Sequence, residues 1–144
     1  MEETLSPEIF QLFFSAFSAH TVEYKGVLYK TAEHAYHCQR YTDPKIAEEI
    51  QNAPSVEKAW EISQKYKSQQ LPDFDARKIG IMEEIFRAKL LQHKDVKQKL
   101  IRSGNTRIIK KHPLDYFWGT GADNSGRNEM GRLWMKLRAE LLSR

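Results

Sequence analysis

The sequence lacks the features that mark membrane, secreted and cysteine-rich metal proteins. Its 144 residues include one cysteine, Cys38, which excludes an internal disulfide and a cysteine-rich metal site. No apolar run approaches the ~18 residues that a membrane-spanning helix needs, and no secretory leader follows Met1. We therefore expect a soluble protein of the cytoplasm in which Cys38 is a small core residue.

Repeats, low-complexity tracts and linkers are also missing from the chain. A length of 144 residues falls within the commonest range of domain sizes, about 100–150 residues. The sequence therefore predicts a single domain over residues 1–144.

Charge is distributed unevenly along the chain. Residues 1–72 carry 7 Lys and Arg against 10 Asp and Glu, a net charge of −3, whereas residues 73–144 carry 16 against 9, a net charge of +7. A basic half suits an anionic ligand, such as a nucleoside diphosphate or a nucleic acid, because phosphate contacts dominate the affinity for both. Solvated helix faces would account for the same lysines.

The pattern of apolar residues predicts a mainly α fold of the α+β class, a compact multi-helical domain with a small β-hairpin near the N-terminus. Apolar residues alternate over 22–29 and flank Lys25-Gly26, which is typical of a hairpin. Residues 9–17 fit neither the helical nor the strand period. Residues 107–111, RIIKK, are expected to form a short strand.

Capping residues, prolines and glycines predict six helices. The expected starts are Thr31 (for a helix reaching about Tyr41), Asp43-Pro44, Ser55, Leu71-Pro72-Asp73, Asp95 and Asn128, and the expected stops are Ala53-Pro54 and Gly104. Two stripes at helical spacing are expected to face the core. They are Ile79, Met82, Phe86 and Leu90 in the fourth helix and Met130, Trp134, Leu137 and Leu141 in the last.

One helix face carries a group of chemically active side chains. Glu33, His37 and Arg40 lie at positions i, i+4 and i+7, so they share a face that meets either water or a site. Glu33 lies in the first helical turn, where the helix dipole favours the ionised carboxylate. This suits a stabiliser of positive charge or an acceptor for sugar hydroxyls better than a proton donor, although the dipole alone would explain an acid at this position.

Glu33, His34, His37 and Cys38 are all residue types that bind metals, but a metal site is not expected. His34 and His37 are three residues apart, whereas the zinc-protease helix separates its histidines by four, and no second cluster supplies a third ligand. We expect neither a metal nor another cofactor.

The segment WGTGADNSGRNEMG, residues 118–131, holds four of the seven glycines. Gly119, Gly121 and Gly126 would let the backbone approach a ligand closely, and a helix start at Asn128 would leave unpaired amides for a phosphate. The segment lacks the P-loop and dinucleotide fingerprints and the ligand pattern of a calcium loop. Trp118 would either pack the loop down or stack on a base.

Blocks across nearly the whole chain resemble the NADAR, or YbiA-like, family. These blocks are FFSAFS with VEYKGVLYKT, then TAEHAYHCQRY, FRAKLLQH and DYFWGTGADNSGRNEMGRLWMKLRAEL, in the order of the family. The resemblance implies a small, mostly helical protein that cleaves N-glycosidic bonds at ribose C1. Some members remove ADP-ribose from guanine bases in nucleic acid and oppose DarT-type toxins, and others act on riboflavin-pathway intermediates.

The resemblance also implies roles for individual residues. It places the family's Glu-His pair on Glu33 and His34, with Glu33 as the catalytic carboxylate and Asp115 as a second one. Trp118 would stack on the base. The glycine loop, residues 118–131, would hold the diphosphate and is expected to share one cavity with Glu33. The residues implied to bind substrate are Phe17, His34, His37, Arg40, Lys89, Trp118, Gly119, Gly121 and Asn128.

Two departures from the family pattern bear on the mechanism. The family usually has Gln and Lys where this chain has His37 and Arg40, and often an Asp where it has Thr120. If a lysine at the position of Arg40 forms an imine with the sugar, that role is lost here, because arginine is not deprotonated in proteins. An arginine can still hold a phosphate or a carboxylate.

The sequence therefore predicts a hydrolase acting on N-glycosyl bonds, most specifically one that removes ADP-ribose from guanine bases. Its substrate would be ADP-ribose or ADP-ribosylated nucleic acid, and a DarT-type toxin would be its partner. Three alternatives remain: an N-glycosidase acting on riboflavin-biosynthesis intermediates, a non-catalytic ADP-ribose-binding module, and a helical nucleic-acid-binding module.

Overall fold

The computed structural model describes residues 3–143, and within them the chain forms seven α-helices and one two-stranded antiparallel sheet. The helices are α1 (Pro7–Ile9), α2 (Ala32–Cys38), α3 (Pro44–Gln51), α4 (Val56–Lys65), α5 (Phe74–Gln92), α6 (Lys94–Arg102) and α7 (Glu129–Leu142), and the strands are β1 (Val22–Tyr24) and β2 (Val27–Tyr29). The predicted class, mainly helical with an N-terminal hairpin, is confirmed. No helix within residues 3–143 combines the length and apolarity needed to cross a membrane.

The N-terminal segment of ambiguous period is helical. Ser6 caps helix α1, with its Oγ accepting from the amide of Glu8 at 3.2 Å, and the chain continues directly into a π-helical turn, Phe10–Phe14. The buried ring of Phe14 lies 5.0 Å from that of Trp134, and its carbonyl accepts from Trp134 Nε1 at 2.8 Å. Because a π turn does not keep the 3.6-residue period, the apolar pattern of this segment fits no regular element.

The hairpin forms where the sequence predicts it. Val22 pairs with Tyr29 and Tyr24 with Val27, and the turn residues Lys25 and Gly26 have φ of 52° and 80°. Two positive φ values are typical of the type I′ turn that matches the twist of a hairpin.

Side-chain caps set the starts of three helices, as predicted. The Oγ1 of Thr31, the Oδ1 of Asp43 and the Oγ of Ser55 accept backbone amide hydrogens two or three residues ahead, at 3.2, 2.9 and 3.1 Å respectively. Helix α2 ends at Cys38, three residues before the expected end at about Tyr41.

Both predicted apolar stripes face the core over most of their length. Met82, Phe86 and Leu90 are buried in α5, as are Met130, Trp134 and Leu137 in α7. Ile79 and Leu141 are half-buried.

The chain divides into two compact units. One consists of Ala16–Gln92 and includes the hairpin and helices α2 to α5, with α2 packed on α3, α4 and α5. The other combines the N-terminal segment through Ser15 with the chain from His93 onward, and in it α6 packs on α7 and on the π-helical turn. The single domain expected for residues 1–144 stays a prediction.

The prediction of a strand at residues 107–111 is wrong. Within this segment only Arg107 makes a bridge, with Thr4, and two of the polar backbone groups that follow pair with one side chain. The amide of Lys110 donates to Oδ1 of Asn128 at 2.9 Å, and the carbonyl of Ile108 accepts from Nδ2 of Asn128 at 3.0 Å. An amide side chain thus takes the place of a neighbouring strand.

Candidate active site

Glu33 stands at the start of α2, where the predicted helix face begins. The Thr31 cap places it in the first turn, and its own amide donates to the carbonyl of Ala16 at 3.0 Å. Its side chain is 14% exposed. The carboxylate is therefore partly withdrawn from water but still open to a ligand.

Glu33 lies against His37, one turn further along α2. His37 Nε2 is 2.7 Å from Oε1 of Glu33, and the imidazole side chain is 3% exposed. Within the described part of the chain His37 Nε2 has no hydrogen-bond partner, so the pair makes a short polar contact rather than a well-aligned hydrogen bond. The spacing of the two residues thus brings them into direct contact, as the sequence predicts.

Arg40 completes this group from just beyond the end of α2. Its Nε donates to Nδ1 of His37 at 3.2 Å, and its guanidinium carbon lies 4.5 Å from the ring centre of Phe74 and 5.1 Å from that of Tyr36. Both rings are buried. The three side chains predicted to share a face therefore form a line, Arg40 to His37 to Glu33.

A pocket of about 370 Å³ opens beside Glu33. It is lined by Phe17, Glu33, Val56, Glu57, Trp60 and Glu61. The two aromatic side chains are 44% (Phe17) and 54% (Trp60) exposed, which is unusual for large rings that only fill a core. The pocket therefore combines aromatic walls with carboxylates, which suits a flat ring that carries hydrogen-bond donors.

The predicted site residues include Phe17 and Glu33 but none from the wall that α4 supplies. Val56, Glu57, Trp60 and Glu61 occupy the first half of that helix. The spacing of Glu57, Trp60 and Glu61, at i, i+3 and i+4, was a usable signal, because it places an aromatic ring and two carboxylates on one face.

Lys89 is fully buried and holds the segment that carries Phe17. It is 1% exposed and its Nζ donates to Oγ of Ser18 at 2.6 Å. The same oxygen lies 2.8 Å from Nδ1 of His20. The phosphate contact expected for Lys89 stays a prediction. Its contact with Ser18 positions the part of the pocket wall that Phe17 forms.

His34 lies in the core between α2 and the residues that follow α3. It is 1% exposed, its Nδ1 lies 2.8 Å from Oγ1 of Thr31, and its Nε2 donates to the carbonyl of Ala53 at 3.0 Å. Burial lowers the pKa of His34 and favours the neutral ring. Both ring nitrogens are thus used within the core, joining α2 to the residues after α3, and the contact of His34 to substrate stays a prediction.

The glycines of the 118–131 segment allow the loop to pack on itself. Gly121 has φ of 69°, and a Cβ there would collide with the ring of Tyr116. A Cβ on Gly126 would collide with the carbonyl oxygen of Gly119. The close approach that these glycines permit is therefore, within the residues described, an approach of protein to protein.

The start of α7 is also used internally, which corrects the expectation of unpaired amides there. Asn128 adopts φ of 51°, in the left-handed region. The amides of residues 128, 129 and 130 donate to the carbonyls of Gly119, Phe117 and Trp118 at 3.0, 3.0 and 3.1 Å. These three amides are therefore not free for a phosphate, and contacts of Gly119, Gly121 and Asn128 to substrate stay predictions.

Asp115, the predicted second carboxylate, is engaged at both oxygens. Oδ1 accepts from the amides of Phe117 and Trp118 at 3.2 and 2.8 Å, and Oδ2 accepts from Nζ of Lys110 at 2.8 Å. Burial opposes ionisation of Asp115, but the hydrogen bond and charge of Lys110, with the two amides, hold its pKa below the ordinary value. These contacts fasten the loop, and the catalytic role of Asp115 stays a prediction.

Trp118 is half-buried. Its ring packs edge-to-face on Phe117 with centres 4.8 Å apart, and the guanidinium of Arg127 lies 4.8 Å from the centre of the Phe117 ring. The aromatic pair packs the loop, and stacking of Trp118 on a base stays a prediction.

Fold and pocket together define a small, mainly helical protein with an aromatic, acidic cleft beside a partly buried glutamate. The chain matches the NADAR domain family over residues 4–142. It belongs to that family, as the resemblance predicts.

Curated relatives carry two kinds of name. An N-glycosidase of Nostoc punctiforme is 32% identical over 131 residues, which cover 89% of this chain and 84% of that protein, and N-glycosidase YbiA of Escherichia coli K12 is 28% identical over 128 residues, which cover 89% and 80%. A riboflavin biosynthesis protein of Vibrio vulnificus is 31% identical over 129 residues, covering 90% of this chain but only 35% of that longer protein. These names support a hydrolase of N-glycosyl bonds as the general class.

The NMR structure of the E. coli protein YbiA shares the fold. It superimposes with a TM-score of 0.86 at 26% identity, covering 99% of this chain and 87% of that chain.

Proposed function

We propose that this protein is an N-glycosidase that hydrolyses a base–ribose bond with Glu33 as its catalytic carboxylate. One observation carries the proposal: Glu33 is 14% exposed, lies 2.7 Å from Nε2 of His37, and lines a pocket of about 370 Å³ with aromatic walls. Cleavage of a base–ribose bond builds positive charge on the sugar, and a fixed carboxylate in a partly desolvated site stabilises that charge.

The reaction is a hydrolysis in which the bond between ribose C1 and the base nitrogen breaks. The bonding electron pair leaves with the base, and a water oxygen forms the new bond to C1. Glu33 accepts one proton of that water and passes it, through solvent water, to the departing nitrogen, which regenerates the carboxylate. The products are the base with its N–H restored and a sugar that carries a hydroxyl at C1. Among residues 3–143, His37 is the one side chain in hydrogen-bond or ion-pair range of the Glu33 carboxylate, which leaves the second oxygen available to water.

The walls of the pocket support a purine or pyrimidine base as the leaving group. Phe17 and Trp60 offer faces for stacking, which contributes roughly 1–3 kcal/mol per base. Glu57 and Glu61 are hydrogen-bond acceptors, and guanine and amino-substituted pyrimidinones present N–H donors on one edge. A base with a donor edge is therefore favoured over one that mainly presents acceptors.

The substrate we propose is ADP-ribose attached to a guanine base in nucleic acid, and the net charge of +7 on residues 73–144 supports a polyanion. Trp118, Gly119, Gly121, Asn128 and Lys89 are the proposed contacts to the rest of the ligand. If this substrate is correct, the protein would oppose a DarT-type toxin. The Vibrio relative, named for riboflavin biosynthesis, favours a pathway intermediate as the second candidate.

The test is incubation of the protein with ADP-ribosylated guanine oligonucleotides of DNA and of RNA, and separately with riboflavin precursors, with mass-spectrometric detection of the released sugar. We expect release from one of these and its loss, by about 100-fold or more, in Glu33→Gln. Glu48→Gln, an exposed glutamate of α3, is the matched control. Turnover unchanged in Glu33→Gln contradicts the assignment. Binding of ADP-ribose without release would instead favour a reader, and salt-sensitive binding of unmodified nucleic acid would favour a nucleic-acid module.

A further inference from the structure

We infer that Arg40 is a positioning residue that acts on Glu33 through the ring of His37, an inference that rests on the catalytic role proposed for Glu33. Arg40 Nε donates to Nδ1 of His37 at 3.2 Å, and on the other side of the ring Nε2 lies 2.7 Å from Oε1 of Glu33. Arg40 therefore reaches the catalytic carboxylate only by way of the imidazole.

The direction of the Arg40 hydrogen bond fixes the position of the proton on His37. A guanidinium has donors and no acceptor, and it keeps its proton at all accessible pH values. Nδ1 of His37 must therefore offer its lone pair, and a neutral imidazole whose Nδ1 accepts carries its hydrogen on Nε2. That hydrogen is on the nitrogen that lies 2.7 Å from Oε1 of Glu33, so the positive end of the N–H dipole is beside the carboxylate even though the two groups are not aligned as a hydrogen bond. The opposite tautomer would place the lone pair of Nε2 next to the negatively charged oxygen.

The guanidinium itself is immobilised by the core. It lies over the rings of Phe74 and Tyr36, which are 2% and 3% exposed and meet edge-to-face with centres 5.3 Å apart. The carbonyl of Arg40 accepts from the amide of Leu71 at 2.8 Å. A planar cation stacked in this way has a fixed donor direction, which the flexible ammonium of a lysine cannot reproduce.

This arrangement separates two roles for Arg40 that the sequence leaves open. If Arg40 held a phosphate, its removal would weaken substrate binding and raise KM. If it orients His37, its removal leaves the pocket walls in place and lowers kcat, because Glu33 loses its oriented neighbour when the transition state forms.

The first experiment needs no enzymatic activity, and its central measurement is made on the wild-type protein. Long-range ¹H–¹⁵N NMR of the imidazole rings of the wild-type protein reports which nitrogen of His37 carries the hydrogen. We expect the Nε2–H form, and Nδ1–H in the wild-type protein overturns the inference whether or not the proposed function holds. Replacement of His37 by Gln assigns the resonance.

The second experiment uses Arg40→Met and Arg40→Lys, with ADP-ribosylated guanine oligonucleotide as the probe and Arg77→Met, an exposed arginine of α5, as the control. We expect Arg40→Met to lower kcat about 10- to 100-fold, the range found when a residue that orients a functional side chain is removed. KM should stay within about twofold of the wild-type value, and the Nε2–H signal should be replaced by signals of both tautomers. Arg40→Lys should fall between Arg40→Met and the wild type. A rise in KM at constant kcat, or a tautomer unchanged in Arg40→Met, overturns the inference. Failure of the proposed function has a different signature: Glu33→Gln retains full turnover.

Discussion

Lys110 donates to the carboxylate of Asp115, with Nζ and Oδ2 2.8 Å apart, and the backbones of the same two residues hold the glycine loop. The carbonyl of Lys110 accepts from the amide of Thr120, and that of Asp115 from the amide of Gly121, both at 3.0 Å. The ion pair and the loop therefore depend on one another for their geometry.

Replacing Asp115 with Asn should destabilise the protein by about 1–3 kcal/mol at neutral pH, the usual cost of losing hydrogen bonds to a charged group. The pKa of Asp115 is lowered in the folded state. A lowered pKa stabilises the fold at pH values above the ordinary pKa of this carboxyl group, near 3.8. This contribution is lost as the pH falls through the folded-state pKa. Urea midpoints from pH 7 to pH 2.5 should show the difference between variant and wild type shrinking below about pH 4. A constant difference would mean that the carboxylate is not the stabilising group.

Gly126 and Gly80 should respond to alanine in opposite directions. A Cβ on Gly126 collides with the carbonyl of Gly119, so Gly126→Ala should cost about 2 kcal/mol or more. Gly80 lies inside α5 with no atom within 4 Å of an added Cβ, so Gly80→Ala should stabilise by about 0.5–1 kcal/mol through helix propensity. Thermal melts of both variants test the pair, and tolerance of alanine at Gly126 would show that the loop can open.

Phe17→Ala and Trp60→Ala should each weaken substrate binding while leaving the fold intact, since both rings are substantially exposed. A loss of stacking worth roughly 1–3 kcal/mol corresponds to a 5- to 150-fold rise in KM. Leu91→Ala, at a side chain that is 74% exposed, is the control. Steady-state kinetics on the accepted substrate is the measurement, and an unchanged KM in both variants would remove the pocket as the place where the base binds.

The thiol of Cys38 should be inert in the folded protein. It is 4% exposed, its Sγ donates to the carbonyl of Ala47 at 3.2 Å, and burial raises its pKa to about 12. At pH 8 the thiolate fraction is then on the order of 10⁻⁴. A thiol reagent such as DTNB should label Cys38 quickly in urea and at least about 100-fold more slowly in buffer. Fast labelling in buffer would contradict the burial of this residue.

Most helix starts could be predicted from the sequence because they depend on contacts between residues close together in the chain. Thr31, Asp43 and Ser55 each satisfy an amide within three residues, so the starts of those helices can be read without knowledge of the fold. The chemistry of α2 was accessible for the same reason, since Glu33 and His37 meet through helix geometry alone.

Interactions between distant segments account for what the sequence did not disclose. Residues 107–111 contain good strand formers, but Asn128 binds their backbone from 18 or 20 positions away. The exposure of Trp60 depends on which side of α4 faces α2 and α3, and periodicity does not determine this when both sides carry apolar residues. His34 was assigned to the site by resemblance, and only the placement of Ala53 shows that it belongs to the core.

The link between Trp134 and the π-helical turn limits how this position can vary in evolution. The indole fills a fully buried space and also donates to the Phe14 carbonyl at 2.8 Å. A phenylalanine or leucine would keep the space filled but would leave the buried Phe14 carbonyl without a hydrogen-bond donor, at a cost of about 1–3 kcal/mol. Tryptophan is the only natural side chain of that bulk that can donate an N–H. Homologues that retain the π-helical turn should therefore retain the indole, and homologues without the turn should lack it.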